Sequence, residues 1–162
     1  MSAPITPALE FAPGLLLAAR GAGAGIGAAI FDVDGVLTDG RVYIGAAGES
    51  FKAFSTLDGQ GMKLLADAGI VPIVVTGRDS AAVRRRMADL GVVHAAYGAA
   101  DKMAAAASLV DVLGLDWDRV AAMGDDWPDL PILRRAAPKS ARAPLGGSDR
   151  REAPSGFIIH FR

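Results

Sequence analysis

The chain has 162 residues, a formal net charge of −1 and no cysteine. This length corresponds to one domain, large enough to bury a substantial core. The nearly balanced charge provides no basic surface for nucleic acid, and without cysteine there is no disulfide and no sulfur-bound zinc. A chain without cysteine also fits a reducing compartment, so we expect a cytoplasmic protein.

Residues 1–28 are predicted to form a leader that precedes the folded core. The segment from Phe11 to Ala29 is apolar, but Pro13, Arg20 and several glycines interrupt it, and no lysine or arginine comes before it. A secretory signal needs a basic start and a continuous apolar run, and a membrane-spanning helix needs about 20 apolar residues. We therefore expect no membrane partner, and we begin the core at residue 29.

The core opens with a strand that ends in two acids. Ile30, Phe31 and Val33 predict a short buried strand, and Asp32 and Asp34 lie at its end. Residues two apart on a strand face the same way, so the two carboxylates are expected to converge on one spot. A cation relieves their repulsion, and oxygen ligands without sulfur favour Mg²⁺. The alternative is an ordinary polar turn, in which Asp and Gly are common.

A β-hairpin is predicted over residues 41–54. Arg41–Ile44 and Glu49–Phe54 alternate as strands do, and Gly45–Gly48 supplies a glycine-bounded loop. An isolated hairpin is marginally stable in water, and exposed apolar edges favour association. Because this hairpin carries apolar residues on both faces, we expect it to pair with other subunits. The alternative is that one face packs on its own domain and the other is tolerated.

The remaining elements alternate between helix and strand. The first helix is predicted over Gly59–Gly69, with Met62, Leu64, Leu65 and Ala68 facing inward. It is followed by strand Ile70–Val75, a helix capped by Asp79 or Ser80 and ending at Leu90, strand Val92–Tyr97, helix Lys102–Leu113, strand Val120–Met123 and a short helix Leu130–Arg135. This alternation predicts an α/β fold with a doubly wound parallel sheet. Such sheets place their sites at the carboxyl ends of the strands.

Three further groups of polar residues occupy those ends. Thr76-Gly77-Arg78 follows an apolar strand, Lys102 opens a helix, and Asp125, Asp126 and Asp129 follow a strand and a glycine. A threonine hydroxyl and neighbouring N–H groups can hold phosphoryl oxygens, and a lysine can neutralise phosphate. Taken singly, each has a simpler interpretation: a strand terminator, a surface lysine, or acids that face solvent or cap a helix.

Together, and in this order, the four motifs resemble those of the haloacid dehalogenase-like phosphatases. The resemblance implies that Asp32 attacks phosphorus and forms an aspartyl-phosphate, and that Asp34 acts as general acid and then general base. It also implies Mg²⁺ bound by Asp32, the Asp34 carbonyl and Asp125, with Thr76 and Lys102 on the phosphoryl oxygens. Asp126 and Asp129 are expected to orient Lys102 or a metal-bound water.

Within this superfamily the chain lacks the usual cap, since only the hairpin lies in the first gap between motifs and one helix and strand lie in the second. Besides the hairpin, the chain carries four short motifs: Val36-Leu-Thr-Asp-Gly40, Phe51-Lys-Ala-Phe54, Leu57-Asp-Gly59 and Gly124-Asp-Asp-Trp-Pro-Asp-Leu-Pro131. With these motifs, the chain from about Ile30 to Arg135 resembles the capless 3-deoxy-D-manno-octulosonate 8-phosphate phosphatases of lipopolysaccharide synthesis. The resemblance implies a small phosphorylated sugar acid as substrate and a homotetramer in which the hairpins meet. The implied substrate-facing residues are Asp34, Ser55, Thr56, Leu57, Asp58, Gly59, Lys63, Gly77, Arg78, Arg86 and Lys102.

Residues 136–162 depart from this family and are interpreted as an atypical tail. Relatives continue with an apolar strand and a glycine-rich, arginine-bearing tail that reaches a neighbouring site, whereas residues 136–156 here are rich in Pro, Ser and Arg. The alternatives are a sister phosphatase for a nonulosonate 9-phosphate and a catalytically impaired homologue with an altered tail. A signalling receiver domain is a third, but it needs a lone acceptor Asp at a strand end, and Asp58 fits that poorly.

Overall fold

The computed structural model describes residues 25–136. Most of the predicted leader and all but the first residue of the predicted tail lie outside this range. The described strands are β1 Ala28–Phe31, β2 Tyr43–Gly45, β3 Gly48–Phe51, β4 Val71–Val75, β5 His94–Ala96 and β6 Val120–Met123. The described helices are α1 Thr56–Asp67, α2 Ala81–Leu90, α3 Lys102–Val112 and α4 Leu130–Arg135.

Four parallel strands form the central sheet, in the order β5-β4-β1-β6. Ile30 of β1 pairs with Ile73 of β4 on one side and with Ala122 of β6 on the other. With neighbours on both edges and helices on both faces, all four residues of β1 are buried. The predicted doubly wound α/β fold is confirmed.

Alternation along the strands divides the core into two layers. On one face, Ile30 and Ile73 pack with Val110 of α3 and Leu133 of α4. On the other face, residues including Phe31 pack against α1 and α2. Each fully buried aliphatic side chain contributes roughly 1.5–3 kcal/mol, so this two-sided core holds the strand ends in fixed positions.

Helix α1 begins three residues before the predicted start at Gly59, because Ser55 caps it. The Ser55 hydroxyl oxygen accepts the N–H groups of Leu57 at 3.2 Å and Asp58 at 3.3 Å. The expectations that Ala68 and Leu64 face inward are wrong, since Ala68 is exposed and Leu64 is 58% exposed while Met62 is buried. Two residues turn a helix by about 200°, so the side chains of Met62 and Leu64 cannot share one face.

Helix α2 begins after Ser80, which resolves the choice of capping residue. Its hydroxyl oxygen accepts the N–H of Val83 at 3.4 Å, whereas the Asp79 carboxylate pairs with Arg84 at 2.7 Å. The helix ends at Gly91, whose φ of +73° is costly for any residue with a side chain.

The predicted hairpin is present as antiparallel strands β2 and β3, both shorter than expected. The rings of Tyr43 and Phe51 stack with their centroids 4.3 Å apart. Ile44 is 69% exposed and Phe51 is 54% exposed.

The chain between β4 and α3 contributes only α2 and β5. None of the described helices combines the length and apolar character that crossing a membrane requires.

Candidate active site

The ends of three neighbouring strands bring polar residues to one edge of the sheet. Asp32 follows β1, Thr76 follows β4, and Asp125 lies two residues beyond β6. Lys102, the first residue of α3, reaches the same place, as does Asp129 just before α4. All of these except Asp125 are buried. The convergence follows from the strand order, because parallel strands end at the same edge.

A buried lysine joins two of the acids. The Lys102 ammonium lies 2.9 Å from Oδ1 of Asp32 and 2.9 Å from Oδ1 of Asp129. Burial lowers the pKa of Lys102, but the hydrogen bonds to Asp129 and Asp32 outweigh it, and the pKa lies above its ordinary value. Lys102 is therefore a fixed positive charge at the candidate site.

The acids form a compact oxygen cluster. One carboxylate oxygen from each of Asp32, Asp125 and Asp129 lies within 4.8 Å of the others. Burial and the negative charge of Asp129 raise the pKa of Asp32 to about 6, against the opposing effect of Lys102. Burial and Asp129 also raise the pKa of Asp125. Three such carboxylates beside one ammonium are a donor set that fits a hard divalent cation.

Two glycines allow this close packing. Gly35 has a φ of +94°, and a Cβ atom there would lie 1.8 Å from Oδ2 of Asp125. A Cβ atom at Gly124 would lie 2.4 Å from Cβ of Asp129. Only a residue without a side chain lets the backbone pass so near these carboxylates.

The described core resembles known phosphatases in sequence and in fold. It is 46% identical over 104 residues to the 3-deoxy-D-manno-octulosonate 8-phosphate phosphatase of Haemophilus influenzae. The aligned residues make up 64% of this chain and 58% of that relative. A structure of a HAD (haloacid dehalogenase-like) superfamily hydrolase of subfamily III A from Legionella pneumophila matches with a TM-score of 0.66 and 43% identity, over 68% of this chain and 61% of that one. The described core therefore has the haloacid dehalogenase-like fold.

A further protein of similar structure is the 3-deoxy-D-manno-octulosonate 8-phosphate phosphatase of Moraxella catarrhalis, solved in complex with magnesium, phosphate and a KDO molecule. The TM-score is 0.65 at 41% identity, over 68% of this chain and 64% of that one. No protein-family model matches the chain. The chain spans less than two thirds of the length of the curated relatives that it matches.

The Asp34 side chain is not part of the three-acid cluster. Its carboxylate pairs with the ammonium of Lys52 and lies 3.4 Å from Nε of Arg78. The expected convergence of Asp32 and Asp34 assumed continued strand geometry, but β1 ends at Phe31 and the backbone then turns around the Val33 carbonyl. Asp129, rather than the Asp34 side chain, is the third acid of the cluster.

Two of the acids near β6 have different surroundings. Asp129 accepts from Lys102 through Oδ1 and from the N–H of Asp126 through Oδ2, at 2.9 and 3.2 Å. Asp126 accepts the N–H of Trp127 at 2.7 Å, so its side chain caps the short 3₁₀ turn Trp127–Asp129. Of the two residues expected to orient Lys102, Asp129 is the one that contacts it.

Thr76 and Gly77, which are expected to bind phosphoryl oxygens, lie in the turn after β4 beside Lys102. The Thr76 hydroxyl oxygen accepts the N–H of Arg78 at 3.3 Å. Thr76 also donates its own N–H to the Ala96 carbonyl at 3.0 Å, and this bond continues the pairing of β4 with β5. A Cβ atom at Gly77 would lie 3.8 Å from Cε of Lys102, so this turn lies against the lysine.

The other expected substrate-facing residues lie on α1, on α2 and in the turn after β4. Arg86 of α2 donates to the Ser55 carbonyl at 3.3 Å and lies against Gly59, where a Cβ atom would stand 2.3 Å from Nη2. Arg78 is more exposed and faces Asp34. The exposed members of the set on α1 are Thr56, Leu57, Asp58 and Lys63. Asp58, the acceptor that a receiver domain would need at a strand end, lies in the first turn of α1.

Three residues that are linked to Asp34 by successive contacts were not predicted as site residues: Lys52, Glu49 and Ser80. Lys52 contacts Asp34 and lies 3.2 Å from Oε2 of Glu49, and the Ser80 hydroxyl donates to Glu49 Oε1. Burial raises the pKa of Glu49, but the hydrogen bonds from Ser80 and Lys52 hold it below its ordinary value. The only signal in the sequence is a lysine between the aromatic residues Phe51 and Phe54.

Proposed function

We propose that this chain is a Mg²⁺-dependent phosphomonoesterase that hydrolyses 3-deoxy-D-manno-octulosonate 8-phosphate to the free sugar acid and phosphate. The observation that carries the proposal is the buried Lys102, which joins Asp32 and Asp129 beside Asp125 at the carboxyl edge of the sheet. The 46% identity to a phosphatase of this name, over 58% of its length, supports the choice of substrate.

Asp32 is the proposed nucleophile. An oxygen lone pair of its carboxylate forms a new bond to phosphorus, and the electrons of the bond between phosphorus and the sugar oxygen leave with that oxygen. The buried ammonium of Lys102, 2.9 Å away, favours the ionised carboxylate that this step needs. The product of the step is an aspartyl-phosphate at position 32.

Asp34 is the proposed general acid and base. In the first step it gives its proton to the departing sugar oxygen. In the second step it takes a proton from the water that attacks the aspartyl-phosphate, which releases phosphate and restores the Asp32 carboxylate. Its side chain is partly buried and contacts Lys52 and Arg78, and the same carboxyl group serves both steps.

A Mg²⁺ ion would be held by Asp32, the Asp34 carbonyl and Asp125, where it offsets negative charge on the phosphoryl group. The all-oxygen donor set, with carboxylate oxygens within 4.8 Å, fits this ion. Thr76 and Lys102 bind the remaining phosphoryl oxygens. Asp129 orients Lys102, and Asp126 shapes the turn that carries Asp129.

The sugar acid has a carboxylate as well as a phosphate and therefore needs cationic partners. Arg78, with a side chain 57% exposed beside Asp34, is the proposed partner closest to the chemistry. Arg86 and Lys63 supply the other charges. The remaining proposed contacts come from the start of α1 and from the turn after β4: Ser55, Thr56, Leu57, Asp58, Gly59 and Gly77.

We further propose a cytoplasmic homotetramer whose subunits meet through the hairpin, without nucleic-acid or membrane partners. The exposed side chains of Ile44 and Phe51 support this interface, because exposed apolar residues on a two-stranded sheet favour burial against a second copy. In such an assembly a neighbouring subunit can exclude water from a site that has no cap of its own.

The test is phosphate release from 3-deoxy-D-manno-octulosonate 8-phosphate with and without Mg²⁺, by the wild type and by Asp32→Asn. Asp111→Asn, an exposed aspartate on α3, is the matched control. We expect Mg²⁺-dependent release by the wild type and the control, and a loss of about 10³-fold or more in Asp32→Asn. Equal release by all three proteins refutes the nucleophile assignment.

The same assay with a nonulosonate 9-phosphate distinguishes the proposed activity from that of a sister phosphatase. A higher kcat/KM for the nonulosonate 9-phosphate than for the octulosonate 8-phosphate would identify the chain as the sister phosphatase. Folded wild-type protein that releases phosphate from neither compound identifies a catalytically impaired homologue.

A further inference from the structure

Lys52, directly after β3, is a lysine buried outside the three-acid cluster. Its side chain is 1% exposed, and its ammonium contacts the Asp34 carboxylate. On its other side, Oε2 of Glu49 lies 3.2 Å away. Burying a lysine costs side-chain entropy and hydration, and a buried ion pair is often no more stable than apolar packing. Stability alone is therefore a weak reason for a lysine at this position.

Glu49, which contacts Lys52 from the other side, is connected to the segment that follows β4 of the main sheet. Glu49 accepts a hydrogen bond from the hydroxyl of Ser80. Ser80 is buried and caps α2, four residues after Thr76. A continuous series of polar contacts thus runs from the start of α2 through Ser80, Glu49 and Lys52 to Asp34. The hairpin residues in this series are held by the core rather than by the hairpin alone.

The two cations beside Asp34 differ in what they can reach. Arg78 is 57% exposed and lies 3.4 Å from Oδ2 of Asp34, so a substrate can contact it. Lys52 is almost fully enclosed, so any effect that it has on the reaction passes through the carboxylate that it contacts. This difference separates a residue that binds substrate from one that orients a catalytic group.

We propose that Lys52 is a positioning residue for Asp34, holding its carboxyl group in the orientation from which the proton reaches the departing sugar oxygen. The inference rests on the proposed function, in which Asp34 is the general acid. It assigns a role in the chemistry to the hairpin, because Lys52 and its anchor Glu49 both belong to it. The fixed orientation keeps the acid within proton-transfer distance of the oxygen.

The test compares leaving groups in Lys52→Met. In the sugar phosphate, the sugar leaves as an alkoxide that needs a proton, whereas 2,4-dinitrophenolate leaves its phosphate ester without one. The ratio kcat/KM reports steps up to and including phosphoryl transfer to Asp32. We expect kcat/KM for the sugar phosphate to fall by about 10²-fold or more, and kcat/KM for 2,4-dinitrophenyl phosphate to change by less than about threefold. Equal losses on both substrates, or no loss on either, overturn the proposal.

Three controls keep this test separate from the proposed function. Arg85→Met removes an exposed cation of α2 that pairs with Asp89, and it should leave both ratios unchanged. Asp34→Asn should show the same split between substrates, and Lys52→Met added to it should cost nothing more. If the wild type releases no phosphate, or Asp34→Asn is fully active, the proposed function fails. If Asp34→Asn loses kcat/KM on the sugar phosphate alone and Lys52→Met does not, only the proposed role of Lys52 fails.

Glu49→Gln provides a second variant, in case Lys52→Met does not fold. It preserves the contact between Lys52 and Asp34 and removes the charge that holds the ammonium from the other side. We expect the same split at a smaller size, about threefold to tenfold on the sugar phosphate alone. A loss of equal size on both substrates contradicts the positioning role.

Discussion

Gly35 lies so close to Asp125 that a Cβ atom at position 35 would stand 1.8 Å from Oδ2 of the carboxylate. The two residues come from different strand ends, about 90 positions apart in the chain. The φ of +94° at Gly35 carries the backbone into this contact. The turn after β1 and the acid after β6 therefore share one space, which admits no side chain at position 35.

Gly35→Ala should displace Asp125 and strain the turn, because alanine adds a clash and disfavours positive φ. We expect weaker Mg²⁺ binding and a loss of phosphatase activity of at least tenfold. Isothermal titration and phosphate release measure the two effects. Gly61→Ala is the matched control: a Cβ atom there meets nothing within 4 Å, and alanine in a helix is favoured by about 0.5–1 kcal/mol. Equal behaviour of the two variants would contradict this account of Gly35.

Asp129→Asn should be far more damaging than Asp126→Asn. Asp129 is buried and accepts from both Lys102 and the Asp126 N–H, and an amide cannot accept with both of its terminal atoms. The group left without a partner should cost about 1–3 kcal/mol of unfolding free energy, and Lys102 should lose its orientation. We expect the activity of Asp129→Asn to fall at least tenfold below that of Asp126→Asn, which retains a good capping residue. Denaturant unfolding and kcat give the comparison, and a reversed order would exclude this role for Asp129.

The stability of the metal-free protein should depend on pH through Asp32. Its pKa is about 6 in the folded protein, against an ordinary value of 3.8. Between these values the folded state retains a proton that the unfolded state has released, so the contribution of this group to stability falls as the pH rises from about 4 to 6. Asp32→Asn should therefore stabilise the protein in EDTA by about 1–3 kcal/mol at pH 7.5, and by less than about 1 kcal/mol at pH 4.

Denaturant unfolding of the wild type and of Asp32→Asn at the two pH values measures this difference in stability. Because all other titrating groups are present in both proteins, their contributions cancel in the difference. Saturating Mg²⁺ should narrow the gap at pH 7.5, because the wild type has the carboxylate that binds the ion and Asp32→Asn does not. A stabilisation that is the same at both pH values would show that burial does not raise the pKa of Asp32.

Ile44→Glu should dissociate the proposed assembly. Ile44 is 69% exposed on the hairpin, so a charge there costs little in the monomer but is buried without a partner in a subunit interface. Light scattering should give a tetramer for the wild type and a smaller species for the variant. Val93→Glu is the control, since Val93 is 82% exposed and lies outside the hairpin. A wild-type monomer, or an Ile44→Glu tetramer, would exclude the hairpin as the interface.

Local patterns were sufficient to locate most elements of the fold. The continuous apolar run before Thr76 predicted β4, and Gly91 marked the end of α2, because strand burial and helix capping depend on neighbours in sequence. The same patterns put Asp32, Thr76 and Lys102 at the ends of strands or the start of a helix, where the structure also has them. The early start of α1 was missed, although its cause, the capping serine at position 55, is itself local.

Only the tertiary structure decided which side chains meet. Asp129 joins Asp32, and Asp34 turns instead to Lys52, because the chain leaves strand geometry at residue 32 and no periodic rule extends across that turn. The burial of Lys52 depends on Asp34, and its anchor Glu49 depends on Ser80, 18 and 31 positions away in the chain. Secondary structure follows from short-range preferences that a sequence displays directly, whereas contacts of this kind exist only once the hairpin has packed against the ends of the sheet.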